Sequence, residues 1–323
     1  MVSENMTRVP GAYGRRPPKR HEALQLRDYL TGTVPPAPAW ADYLSQLSGW
    51  QMLGNDRLGD CVAVTWANMR RLVTAVLATE FYPPMSQVMQ VYQTQNPVYG
   101  SDNGMDIQTL LEYLVATGGP DGAKAAGFAA VDFTDAAEVR AAIDIFGSVW
   151  TGVNVLQANM DQFSAGQPWD YVAASPVDGG HSVLVGGFGD VAADTGQLSG
   201  DQKFITWAQE TSFTDAFWAK EVEECWVVIW PEMLGSREFV AAMDMQTFAA
   251  DYTAITGKPF PSPVPAPVPP PAPSPVPPAP APAMDADHKL WEVAGPWCTG
   301  RTWRRERQLR EALEAWGTAK GFA

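Results

Sequence analysis

"MLGNDRLGDC", residues 52–61, sets a cysteine behind a turn made of two glycines, an asparagine and two aspartates. The next twenty residues decide its meaning. After Cys61, the apolar residues Val62, Trp66, Met69, Val73 and Val76 recur at helical spacing, so "CVAVTWANMRRLVTAVLAT" predicts a helix buried on one face. A cysteine opening that helix sits at the positive end of its dipole, which favours the thiolate. Gly54 and Gly59 permit a tight turn that brings backbone N–H groups close to a substrate oxygen, and Asn55 can add a side-chain N–H to the same oxyanion hole. The plainer reading is a buried cysteine acting as a small hydrophobe.

Histidine usage favours the first reading. The chain has three, and His21 and His288 lie in the basic N-terminal segment and beyond a proline tract. His181, in "DGGHSVLVGGFG", stands at the mouth of an expected strand, where it can act as base to the Cys61 nucleophile.

Working outward, two more helices are expected. "DIQTLLEYLVATGG" carries Ile107, Leu110, Leu111 and Leu114 on one side and stops at Gly118 and Gly119, and "TDAAEVRAAIDIFG" pairs Asp135 with Glu138 in capping-box spacing before Gly147. The period then changes to two: "SVWTGVNV", "HSVLVGGFG", "KFITWA" and "CWVVIW" predict strands. Helices first and strands later define an α+β fold with a helical half and a sheet half meeting at a cleft.

In this order the segments resemble the papain-like cysteine peptidase fold over roughly residues 50–230. "GNDRLGDC" is similar to that family's Gln…Cys segment, with Asn55 in the glutamine's place and Cys61 in the nucleophile's. "PPMSQVMQVY" and "DNGMDIQTLLEYLVATGG" resemble its post-nucleophile helix, Gly-rich turn and next helix, and "GGHSVLVGGFG" resembles its histidine strand. The 120 residues between Cys61 and His181 come near the roughly 130 to 150 of papain-type enzymes. The resemblance implies a thiol-dependent peptidase, an amide hydrolase, acting through Cys61 and His181 with Asn55 at the oxyanion. Departures are visible as well. Val62 replaces the aromatic that comes after the nucleophile, the family's disulfides are absent, and its third residue, an Asn, is matched by Trp207, leaving Gln209 two places along to accept the His181 N–H. The "GNDxxGDC", "GGH" and "TWxxxxxxTxAFW" signatures also resemble a group of bacterial and tailed-phage proteins of this fold.

Composition narrows the partners. The net charge of −14 is uneven: residues 29–283 sit near −18, a surface that repels phosphate backbones, so nucleic acid is not expected as a partner. Asp56, Asp60, Asp178 and Asp190 flank the expected site as a solvated acidic rim or as a selector of basic substrates. No cofactor is called for, because metal binding would need Cys61 and His181 with carboxylates from distant segments and "GGFGD" lacks the context of a dinucleotide loop. Cys61, Cys225 and Cys298 have no CxxC spacing, which suits a reducing compartment, and no apolar leader or run of 18 apolar residues appears. The expected setting is the bacterial or phage-infected cytoplasm, or a virion, without a membrane.

Four regions are expected. Residues 1–40 form a basic, Pro-containing arm laid over the body or left free, too short for the folded propeptides of papain relatives though able to plug a cleft. Residues 41–258 form the papain-like domain. Residues 259–283 form a polyproline II linker, in which 13 of the 22 residues from Pro261 to Pro282 are proline. Residues 284–323 form a short helical tail bearing Trp303, Leu309, Leu313 and Trp316. Linker and tail suggest tethering to a larger assembly, and the alternative function is a catalytically silent binding or structural module, such as a virion component. Truncation after Phe260 is expected to leave the melting temperature of the body unchanged, because about 30 tail residues bury too little apolar surface to fold alone; a large drop in a thermal scan would show that the tail packs on the body.

Overall fold

The computed structural model describes residues 12–18, 23–32, 36–189 and 202–260. The chain divides into two units, Met1–Val268 and Pro269–Ala323. The second unit, the proline tract from Pro261, and His21, Asp190, His288 and Cys298 lie outside the described residues.

The helical half begins with α1 (Cys61–Leu77), whose first 14 residues are all buried. It is packed between α2 (Met85–Gln93) and the sheet. The helix α3 (Ile107–Ala116) starts on Asp106, whose side chain accepts from the Thr109 N–H. The strand β2 (Gly127–Ala130) comes next, then α4 (Ala136–Phe146). Asp135 caps α4 through the N–H groups of Ala137 and Glu138, and Gly147 ends it with φ +74°. The capping box expected there is half made, because the Glu138 carboxylate accepts from the Asp132 N–H instead.

The sheet half comprises β1 (Ala41–Asp42), β2, β3 (Val149–Leu156), β4 (Val177–Phe188), β5 (Gln202–Thr206), β6 (Gln209–Phe213) and β7 (Val222–Ile229). The order is β2-β7-β3-β4-β5-β6, with every pair antiparallel and β1 joined to the far end of β4. Short helices α5 (Gln157–Ser164), α6 (Asp215–Glu221), α7 (Arg237–Ala242) and α8 (Met245–Thr256) fill the connections and the C-terminal edge. The four strands expected from the sequence are present, while β1, β2 and β6 are additions, the last with a consequence at the site. The mixed helix and sheet architecture is α+β. Among the described residues no helix is long and apolar enough to cross a membrane.

The N-terminal segment is docked along the body. Leu26 is fully buried, the Ala130 N–H donates to the Leu24 carbonyl at 2.8 Å, and Tyr29 packs edge-on against Phe248. Apolar residues in "ALQLRDYL" explain this attachment, since Leu24, Leu26 and Tyr29 gain more by burial than the chain loses in ordering.

A charged clamp joins the two halves from the middle of α1. Arg70, nearly buried, donates to Asp121 at 2.7 Å and Glu232 at 2.8 Å and lies 4.3 Å from the Trp230 ring centroid. Replacing Arg70 with Met strands the buried Asp121 carboxylate. The expected cost is about 3–5 kcal/mol, read as a fall in urea midpoint at unchanged slope.

Candidate active site

The site starts with the Gly-rich turn. Leu53 and Gly54 both take positive φ, 51° and 100°, and the Leu58 N–H folds back to the Gly54 carbonyl at 3.0 Å. A Cβ at Gly54 would come within 2.8 Å of Asp60 Oδ2 and 2.6 Å of the Met85 methyl, so shape and conformation both demand glycine. The next turn is fixed by Asp102, which accepts from the Gly59 N–H at 2.9 Å and from the Tyr92 hydroxyl. Cys61 then opens α1, where its N–H has no intrahelical partner. Asn55 is buried, and its amide donates to the Leu58 carbonyl at 3.1 Å.

One hydrogen-bond chain ties this helix start to the histidine strand. The Trp150 indole donates to Ser182 Oγ at 2.8 Å, Ser182 donates to Thr65 Oγ1 at 3.0 Å, and Thr65 donates to the Cys61 carbonyl at 2.9 Å. All four residues are buried. Ser182 is next to His181 on β4, and its backbone N–H also favours the Cys61 thiolate.

His181 is anchored from its other side. Its Nε2 lies 2.7 Å from Thr206 Oγ1, and its Nδ1 has no hydrogen-bond partner. Thr206 is not among the residues that sequence reasoning singles out, and Gln209 does not take the expected place. Trp207 and Ala208 have φ +43° and +63° and form a two-residue hairpin turn, so β6 begins at Gln209, which pairs across from Thr206 and is exposed. The expectation treats Trp207 and Gln209 as one continuous strand; the turn breaks it because two left-handed residues reverse the chain without the usual Asn-Gly signal. Trp207 instead lies against the imidazole, ring centroids 4.8 Å apart.

The arm occupies the cleft between these groups. The Ala12 N–H donates to the Asn55 carbonyl at 2.8 Å, and the Asn55 amide donates to the Ala12 carbonyl at 3.1 Å. The N–H groups of Gly14 and Arg15 reach the Gly180 carbonyl at 3.2 and 3.0 Å, and Arg15 bridges Met105 in parallel sense. Tyr13 covers His181 edge-on at 6.2 Å. The Gly14 N–H of the arm acts on the Cys61 sulphur and, like the Ser182 N–H, favours its thiolate. Gly59 makes this approach possible, since a Cβ there would meet the Tyr13 carbonyl oxygen at 2.8 Å.

Burial favours the neutral form of both titrating groups. It pushes the Cys61 thiol up to about 12, against the opposing pull of the Ser182 N–H, and pushes His181 down to about 3, with the Arg15 charge adding to the effect. Burial also pushes the Asp60 carboxyl up to about 8, against the opposing hydrogen bond from Asn55. Of the other acidic residues expected near the site, Asp178 is exposed and Asp56 half-buried. Trp150, Trp169, Trp218, Trp226 and Trp230 are core. Among the described residues no cluster of three or more His, Cys, Asp or Glu is arranged to hold a metal ion.

The fold defined by this helix, sheet and cleft is papain-like. Xylellain, a cysteine protease from Xylella fastidiosa, superposes with a TM-score of 0.54 at 14% identity over 71% of this chain and 99% of its own. The proform of the ragweed cysteine protease Amb a 11 gives 0.48 at 12% identity over 65% and 70%, and procathepsin B S9 of Trypanosoma congolense gives 0.47 at 11% over 68% and 86%. No family model and no curated protein matches the chain in sequence.

In the full chain, alkylation of Cys61 is expected to stay slow from pH 5 to 9, rising with pH without a plateau, because the thiol titrates above that range. A Cβ at Gly14 would meet the Gly59 carbonyl oxygen at 1.8 Å, so Gly14→Ala unseats the arm. The variant is expected to alkylate Cys61 at pH 7 more than about tenfold faster, as read by mass mapping of the labelled peptide. Equal rates would show that the arm does not limit access.

Proposed function

We propose that the chain is a papain-type cysteine peptidase, an amide hydrolase of peptide or protein substrates, held latent by residues 12–16 of its own arm. The observation that carries this reading is that the arm's backbone is bound on both sides of the site, the Asn55 amide donating to the Ala12 carbonyl and the Gly14 and Arg15 N–H groups donating to the carbonyl of Gly180, next to His181. A side-chain amide that donates to a main-chain carbonyl of a bound peptide makes the kind of bond an oxyanion hole uses.

With the arm displaced, water returns and both pKa values relax toward their ordinary ranges. The Thr206 contact holds the imidazole by Nε2 and leaves Nδ1 free to take the Cys61 proton. The thiolate, favoured by the helix N-terminus and the Ser182 N–H, attacks the substrate carbonyl carbon. Negative charge forming on the carbonyl oxygen is met by the Asn55 amide and the Cys61 N–H. The imidazolium returns its proton to the leaving amine, and water, deprotonated by the same nitrogen, then releases the acyl group from sulphur. Thr206 supplies a single hydroxyl where a carboxamide would serve relatives of this fold, and a hydroxyl suffices to fix the ring because it can accept from Nε2–H.

Linker and tail belong to this proposal on sequence grounds alone. They would tether the cytoplasmic or virion-borne peptidase to a larger protein assembly.

Cys61→Ala in the Gly14→Ala background is expected to abolish hydrolysis of a denatured-protein substrate while the melting curve stays within a few degrees of its parent. His181→Ala is expected to lower kcat by about a hundredfold or more. Turnover surviving in the Cys61 variant would end the reading.

A further inference from the structure

Beside the cleft lies a pocket built for one side chain. Arg15 enters it with its side chain 1% exposed. Its guanidinium meets Glu224 Oε1 at 3.1 Å, the Val153 carbonyl at 3.3 Å, Asn154 Oδ1 at 3.3 Å and Glu223 Oε2, and one N–H turns back to the Arg16 carbonyl at 3.4 Å. Glu224 is itself 5% exposed and is held from behind by the Trp226 indole at 2.9 Å.

Two backbone features make the pocket. Successive residues of a strand point to opposite faces, so neighbouring glutamates should not both reach one guanidinium. They do because β3 and β7 slip register there: Gly152 pairs with Glu224 but Val153 with Val222, leaving Glu223 as the extra residue of a β-bulge. The second feature is Gly152, where a Cβ would stand 2.6 Å from Glu224 Cγ and 2.7 Å from Arg15 Cδ, filling the space the side chain uses. The pocket mouth adjoins the site, since Val153 pairs directly with His181 across β3 and β4.

We propose that this pocket is the specificity pocket of the enzyme and selects substrates carrying arginine, an inference that rests on the peptidase reading. With the arm displaced, Glu224 and Glu223 are left without their cation, and the buried Glu224 carboxylate, kept only by the Trp226 indole, lacks a counter-charge, so the empty pocket favours another cation. Four acceptors set around a flat fork suit a guanidinium, whereas an ammonium would leave at least one of them unmet. Main-chain groups at Gly180 and Met105 hold any extended peptide, and the pocket then discriminates by side chain. The arm thus carries in Arg15 the residue that the pocket selects, which keeps it seated while its N–H faces the thiol.

The test uses the full chain with Gly14→Ala and Arg15→Ala, and fluorogenic peptides that differ only in arginine, citrulline, lysine or leucine at each position near the reporter. At one position arginine is expected to exceed citrulline in kcat/KM by about tenfold or more, and Glu224→Gln or, separately, the more exposed Glu223→Gln should shrink that ratio several-fold. Equal rates for arginine and citrulline at every position, or a ratio untouched by both glutamate changes, would overturn the pocket. If no peptide is cleaved, the peptidase reading fails and protection of Cys61 from alkylation decides the pocket by itself. Arginine peptides that protect where citrulline peptides do not support it, and equal protection overturns it.

Discussion

The site depends on one relay of hydrogen bonds, from the Trp150 indole through Ser182 and Thr65 to the Cys61 carbonyl. Cys61 on a helix and His181 on a strand keep one relative position only if helix and strand are locked at a fixed height. Apolar packing alone would let α1 slide along β4 at small cost, because dispersion contacts are non-directional. Three buried hydroxyl and indole groups remove that freedom, since any slip leaves one of them unsatisfied at about 1–3 kcal/mol. The same relay runs through Ser182, next to His181, so it sets Cys61 and the histidine strand together.

In the proposed latent peptidase the arm acts on this site by desolvation. A thiol and an imidazole in water can exchange a proton near neutral pH; sealed under Tyr13 and Gly14 they are driven apart in pKa and both stay neutral. The proposed latency therefore needs no rearrangement of the site, only exclusion of water and occupation of the Asn55 amide. So short a segment is held by its backbone bonds to Asn55, Gly180 and Met105 and by Arg15, whose burial is tolerable because Val153 and Asn154 on β3 and two glutamates brought together by the bulge in β7 are positioned to receive it.

Much of this is legible in the sequence. The three expected helices carry a clear 3.6 period with stop signals, and the strands a shift to β-branched and aromatic residues. Asn55, Cys61 and His181 stand out because each is a scarce or specially placed residue type near glycines. Thr206 does not, since a threonine in a strand is ordinary and its role depends on a turn at Trp207 and Ala208 that has no glycine to announce it. Gln209 is plausible only while that turn is read as strand. The course of the arm is also hidden: "AYGRRP" has no periodicity, and its seat is made by partners more than 40 residues distant at Asn55 and more than 160 distant at Gly180.

What the sequence determined by itself is the set of local elements and the chemical types at their ends: a cysteine opening a buried helix, a histidine in a strand behind two glycines, an asparagine in a tight turn. Local backbone preference and hydrophobic period carry that much, because both act between neighbours along the chain. The tertiary structure alone decided which hydroxyl holds His181, that residues 12–16 close the cleft, and that Glu223 and Glu224 converge on one cation. All three depend on strand register and hairpin turns, where a shift of one residue moves a side chain to the other face of the sheet.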